Sequence, residues 1–223
     1  MISAIRSARH SALTFAIGLL FAASTAAAPP PASPWEIRIA DDGSAEILRK
    51  KSGLPLFRTL GVVLVDARGL PCARPDAAPP HRFGNSVCRA TDTSRLRMRL
   101  FELPGDAVRC SWSMRFLNAI PCAVFIALDC ELHAKSVEPL PPGPSGTFRR
   151  RLVSHDGDAL LAVDPGAIPA FIPQGDGKVR MRMLWRYDPF FVNTVETAVT
   201  LAPKSVEKPL AQKSGEQGSV FRQ

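Results

Sequence analysis

Residues 95–116 read RLRMRLFELPGDAVRCSWSMRF. Leu96, Met98 and Leu100 alternate with Arg95, Arg97 and Arg99. Pro104-Gly105-Asp106 supplies a turn, and Val108, Cys110, Trp112, Met114 and Phe116 then alternate with Arg109, Ser111, Ser113 and Arg115. A period of two puts successive side chains on opposite faces of a strand, so each arm has one apolar and one polar face. A turn centred on Gly105 sets Leu100 opposite Cys110, Met98 opposite Trp112 and Leu96 opposite Met114. A slip of one residue would turn all of them into water, so the pattern specifies the register as well as the strands.

Other stretches read the same way. Trp35 to Ala40 and Ser44 to Arg49 flank Asp41-Asp42-Gly43, a hairpin signal. Leu54 to Val65 is apolar and β-branched, and Pro55 and Gly61 predict two short strands or one with a bulge. Cys122 to His133 fits a core strand better than a buried helix, because Pro121 precedes a Val-Phe-Ile cluster. Thr147 to Ser154 and Asp158 to Val163 pair around His155-Asp156-Gly157, Val179 to Arg186 alternates cleanly, and Phe191 to Leu201 makes a last strand. The proline-rich run 138–146 excludes helix or central strand, since prolines lack a backbone donor.

About ten to twelve short strands predict an all-β fold, an antiparallel two-sheet β-sandwich. Uneven strand spacing argues against the alternative, an irregular closed barrel. An outer-membrane barrel needs a lipid-facing apolar exterior, whereas the faces opposite the core here carry arginine.

Residues 1–28 have the order of a secretory leader. Arg6, Arg9 and His10 precede an apolar run from Ala12 to Ala23, then small residues, then Pro29-Pro30-Pro31. The run is shorter than the roughly 20 residues of a membrane-spanning helix. Cleavage after Ala26 or Ala27 is expected, with the sandwich domain over 29–202 and a polar, disordered tail over 203–223. The expected location is periplasmic or secreted, with membrane contact only through the leader before its removal. Losing Arg6 and Arg9 takes the chain from +8 to +6, with 26 basic residues against 20 acidic. Such a balance suits an anionic partner without demanding one.

Five cysteines are present, Cys72, Cys88, Cys110, Cys122 and Cys130. An odd number in an exported chain leaves at least one unpaired. Cys72 and Cys88 bracket a proline-rich loop, and a disulfide between them is expected, worth about 3 kcal/mol in the chain-entropy picture. Cys110, Cys122 and Cys130 are expected to be buried free thiols.

Arginine spacing carries the functional signal. Arg95, Arg97 and Arg99 lie about 6.6 Å apart on one strand face, and Arg109 and Arg115 share that face on the partner strand. Rows of guanidinium forks grip carboxylates, sulfates or phosphates. Arg95 opposite Arg115 is a like-charge pair that an anion or an acidic neighbour must offset. Arg180, Arg182 and Arg186 repeat the pattern, and Arg149-Arg150-Arg151 forms a run. The bland alternative is a solvated outer face, partly paired with Glu102, Glu131 and Glu196. Trp112 and Trp185 sit in phase with core residues, Trp35 covers an edge, and Tyr187 lies in a turn where it is free to stack on a ligand.

No G-x-S-x-G, H-E-x-x-H or phosphate-cradling glycine loop occurs, and no Cys or His has zinc-finger spacing. The expected protein is a non-enzymatic binding module without cofactor or metal. Its partner would be an anionic glycan or envelope polymer held by Arg95, Arg97, Arg99, Arg109, Arg115 and Tyr187. An envelope protein-assembly partner is the first alternative and a carbohydrate-active hydrolase the second. The leader argues against nucleic acid as the partner in vivo.

Overall fold

The computed structural model describes residues 33–117 and 120–204. The leader assigned to 1–28 lies outside the described residues, as does nearly all of the tail. In chain order the strands are β1 (Trp35–Ile39), β2 (Ala45–Arg49), β3 (Pro55–Val65), β4 (Pro71–Ala73) and β5 (His81–Phe83). There follow β6 (Ser86–Ala90), β7 (Ser94–Leu103), β8 (Ala107–Phe116), β9 (Phe125–His133) and β10 (Ser136–Pro139). The last five are β11 (Phe148–Val153), β12 (Ala159–Val163), β13 (Ile168–Gly175), β14 (Lys178–Arg186) and β15 (Asn193–Pro203).

They form two antiparallel sheets that do not close into a barrel. One runs β1-β2-β3-β9-β14-β13 with β4 added to β3, and the other runs β10-β11-β12-β15-β8-β7-β6-β5. The fold is a two-sheet β-sandwich. The β7–β8 register is the one read from the sequence, with Leu100 opposite Cys110, Met98 opposite Trp112, Leu96 opposite Met114 and Arg95 opposite Arg115. Gly105 (φ 78°) and Asp106 (φ 59°) take the left-handed backbone that the tight turn demands. The Trp35 indole N–H donates to the Asp106 carbonyl at 2.5 Å, tying the first strand of one sheet to the central turn of the other.

Inward residues of both sheets meet in one core. Phe57, Leu64, Ile126, Leu128 and Leu132 come from the seven-stranded sheet, and Met114, Phe116, Leu152 and Leu161 from the other; all are fully buried. β3 is one strand with a bulge, because the pairing with β9 skips Leu60 between Thr59 and Gly61. β13, which alternation did not reveal, is an edge strand. Pro169 and Pro173 are tolerated there because an edge need not use every donor.

The cysteine expectation is corrected. All five are free thiols. Cys72 lies on β4 and Cys88 on β6, in different sheets, so closeness in sequence does not bring them together. Cys110 and Cys130 are buried, and burial pushes both thiols well above their ordinary range. Cys122 is exposed, contrary to expectation. Burial, followed by the neighbouring Cys122 thiol, pushes Cys72 up to about 11.

Two outcomes follow from this packing. Phe116→Ala removes a fully buried ring against which Tyr187 packs edge-on at 6.0 Å, and it should cost about 3–5 kcal/mol in urea unfolding. In the reduced native protein a maleimide should label Cys122 first, whereas Cys110 and Cys130 should react only after denaturation, as mass spectrometry of timed aliquots would show.

Candidate functional site

The pleat places the predicted arginines as expected. Arg95, Arg97 and Arg99 are exposed on β7 while Leu96, Met98 and Leu100 are buried. On β8, Arg109 is half-buried and Arg115 exposed, on the same outer face. Register extends this face sideways in rows. Cys88, Arg97, Ser113 and Glu196 make one row, and Ser86, Arg99, Ser111 and Ala198 the next. Phe101, Arg109, Thr200, Ala162 and Arg149 make another.

The arginines on this face differ in what holds them. Arg109 Nη2 contacts Asp164 Oδ2 at 2.5 Å, and its Nη1 reaches Thr200 Oγ1 at 3.5 Å, so its charge is taken within the fold. Arg95 Nη1 donates to the Ser94 carbonyl at 3.0 Å and to the Thr91 carbonyl, which folds its guanidinium back over the β6–β7 turn. Arg97, Arg99 and Arg115 have no ion-pair partner among the described residues. Glu196 is the acid that shares a row with Arg97, with Ser113 between them.

The outer face of the seven-stranded sheet is arranged differently. Arg182 makes a two-pronged contact with Asp129, Nε to Oδ1 and Nη2 to Oδ2, both at 2.7 Å. These hydrogen bonds hold the guanidinium pKa above its ordinary value. Arg58 pairs with Glu46 at 3.4 Å and Lys178 with Glu131 at 3.5 Å. Of the second arginine pattern, Arg182 is neutralised, whereas Arg180 and Arg186 have no ion-pair partner among the described residues. The run at 149–151 is split by the pleat. Arg151 pairs with Asp158 at 2.5 Å, while Arg150 stacks over Phe148 at 3.9 Å and Phe171 at 5.6 Å.

Tyr187 requires correction. It is buried, with its ring edge-on to Phe116, and its hydroxyl oxygen accepts the Ile120 N–H at 3.2 Å. Burial raises the phenol pKa, and no ring face is open to a ligand. Alternation along β14 ended one residue too early to show that Tyr187 turns under the core, where its own N–H donates to the Val124 carbonyl at 2.8 Å. The exposed aromatics of this loop are Phe190 and Phe191. Asn193 closes the loop, donating to the carbonyls of Asp188 at 2.7 Å and Phe191 at 2.9 Å.

A second feature was not read from the sequence. Between the sheets, beside β3 and β7, lies a cavity of ≈ 360 Å³. Val62, Leu128, Met98 and Trp112 form its apolar wall, and Ser44, Asp76, Arg74, Arg89 and Arg97 its polar one. The 3-10 turn Pro75–Ala77 carries Asp76 into it. Asp76 Oδ2 accepts the Val62 N–H at 3.1 Å. That contact depends on the bulge, because Gly61 sits at φ +128° and a Cβ there would fall 1.9 Å from Asp76 Oδ2. Arg89 holds the mouth, its Nη1 donating to the carbonyls of Asp76 at 2.8 Å and Ala78 at 2.5 Å and its Nη2 to the Asp42 carbonyl. Gly61 was the available signal, since a strand glycine marks a bulge or a close backbone approach; which segment approaches was not written near it.

No sequence-family profile matches the chain, and no curated protein matches it. Among solved structures it is similar to a human-microbiome chain that carries the provisional name kojibiose phosphorylase, at 10% identity and a TM-score of 0.26. The match covers 75% of this chain and 19% of that one, so this chain spans about a fifth of that protein's length. A likeness of that size transfers neither residues nor activity.

Gly61→Ala tests the bulge. The added methyl must displace Asp76 and adopt a backbone unsuited to L side chains. A loss of about 1–3 kcal/mol is expected in thermal or urea unfolding. The same change at Gly69, an open turn position with φ +79° and nothing within 4 Å, should cost less.

Proposed function

We propose that the chain is an exported binding protein whose arginine face holds an acidic polymer, such as a carboxylated or sulfated glycan of the cell envelope. One observation carries this reading. Arg97, Arg99 and Arg115 stand on one sheet face without acidic partners among the described residues, while the other sheet pairs Arg58 and Arg182 with its own carboxylates. A fold that places acids beside one set of arginines and leaves another set open maintains a positive surface. Arg95 and Arg115, directly opposite each other, add repulsion that a bound anion would offset. Anionic groups spaced along a chain suit rows of guanidinium forks about 6.6 Å apart along the strand. The leader-like order of residues 1–28 supports the export part of the proposal.

A second reading, a protein partner in an envelope assembly, is favoured by a different observation. The Asn193-closed loop presents Phe190, Phe191 and Val192 to solvent, next to the β8–β15 end that carries Arg115.

The purified protein should bind carboxylated or sulfated glycans over neutral ones at near-physiological salt, where the screening length is about 8 Å. Arg97→Ser combined with Arg99→Ser should weaken that binding about tenfold or more, at roughly 1.4 kcal/mol per tenfold. Surface changes of this kind should shift stability by no more than about 0.5 kcal/mol. Unchanged glycan affinity in the double variant overturns the face assignment. Loss of envelope-protein capture in Phe190→Ser with Phe191→Ser, at unchanged glycan affinity, would favour the second reading.

A further inference from the structure

We infer that the cavity between the sheets is a binding site for a neutral, hydroxyl-bearing ring of single-sugar size. The inference does not rest on the arginine face. At ≈ 360 Å³ the cavity lies at the small end of ligand-binding sites. Its composition is also that of such a site, an apolar wall of Val62, Leu128, Met98 and Trp112 facing a few convergent polar groups.

The polar wall points to a particular chemistry. Asp76 is fixed in place, since one carboxylate oxygen is engaged by the Val62 N–H at 3.1 Å. The other, Oδ1, is buried and has no hydrogen-bond partner. Arg74 Nε stands 3.7 Å from it, beyond hydrogen-bonding reach. Ser44 Oγ, on the same cavity, is likewise buried, and its polar neighbour is the Asp42 carboxylate, whose pKa it helps to lower. Buried polar atoms left unmet cost about 1–3 kcal/mol each, and folded proteins keep few of them. A ligand hydroxyl that donates to Asp76 Oδ1 would satisfy it, and Ser44 Oγ can accept from a second one.

Two of the three arginines on the lining are already engaged. Arg89 spends its guanidinium on three backbone carbonyls, and Arg74 lies against Asp76 itself, while Arg97 borders the cavity from the outward face of β7. The cavity therefore presents an acceptor beside an apolar wall with an indole, the arrangement that suits a ring with polar edges and apolar faces.

The structure also shows why the site is built rather than incidental. Asp76 enters only because Gly61 has no side chain, and Arg89 clamps the Pro75–Ala77 turn and the Asp42 turn around the opening. A gap left by loose packing would need neither device.

The test titrates the purified protein with glucose, galactose, mannose and N-acetylglucosamine at millimolar concentration, followed by calorimetry and tryptophan fluorescence. The same titration with glucuronate and glucosamine checks the charge preference. At least one neutral sugar should bind. Asp76→Asn, which keeps an oxygen for the Val62 N–H but replaces the open acceptor with a donor, should weaken it at least tenfold with little change in melting temperature. Should Asp76→Asn fail to fold, Val87→Phe, which fills the cavity from β6, should abolish the same binding. Arg99→Ser with Arg115→Ser, both outside the cavity lining, should leave it intact, which keeps this inference separable from polymer binding on the outer face. Absence of binding by every neutral sugar, preference for glucuronate or glucosamine, or wild-type affinity in a folded Asp76→Asn or Val87→Phe protein would overturn it.

Discussion

The pairing of β7 with β8 is the constraint on which the rest of the molecule depends. Its three-residue turn, with Gly105 and Asp106 both left-handed, makes the pairing symmetrical about Gly105. That symmetry decides which alternate residues face inward. Leu96, Met98 and Leu100 then meet Met114, Trp112 and Cys110 in the core, and the arginines between them must face out. Asp106 also receives the Trp35 indole N–H, so the turn anchors the opposite sheet. Burial of the apolar row supplies the driving force, at about 25 cal/mol per Å² of apolar surface. The outward arginine row follows from that burial without needing any stabilising contact of its own.

Legibility in the sequence followed locality. β7, β8, β14 and the β1–β2 hairpin were visible because a strand with one wet face writes its period into consecutive residues. The bulge in β3 was visible through Gly61. β13 was obscured by Pro169 and Pro173, and the short strands β4, β5 and β6 by the prolines and turns between Pro71 and Ala90. Those segments are held by sheet edges and by Arg89, not by their own periodicity. Tyr187 was misjudged for a related reason. Its burial is decided by Val124 and Ile120, residues more than 60 positions away that no local pattern can announce. The Cys72–Cys88 expectation failed likewise, since distance along the chain carries no information about which sheet each strand joins.

The arginines show how little residue type alone determines. Arg182 is locked by a carboxylate fork, Arg150 lies over two phenyl rings, Arg89 staples three carbonyls, and Arg97 stands open. Arg97, Arg150 and Arg182 all occur in sequence contexts rich in arginine. What separates them is whether an acid or a carbonyl comes from a distant segment to meet them. The acidic residues therefore do as much as the arginines to define the basic face, because Asp129, Glu131 and Glu46 gather on the opposite sheet.

β7 joins the two sites by its geometry. Its outward residues, Arg97 and Arg99, form the open part of the basic face, and its inward Met98, with Arg97 beside it, helps to wall the cavity where Asp76 Oδ1 lacks a hydrogen bond. One backbone thus sets the position of both, and Arg97 borders the two. A strand is stiff to bending but transmits any change of register to every residue along it. A shift that moved Met98 out of the cavity would carry Arg97 and Arg99 into the core, which the cost of burying unpaired charge forbids. The two surfaces are therefore fixed together by the same alternation that made the fold readable, and each can be altered by side-chain substitution without moving the other.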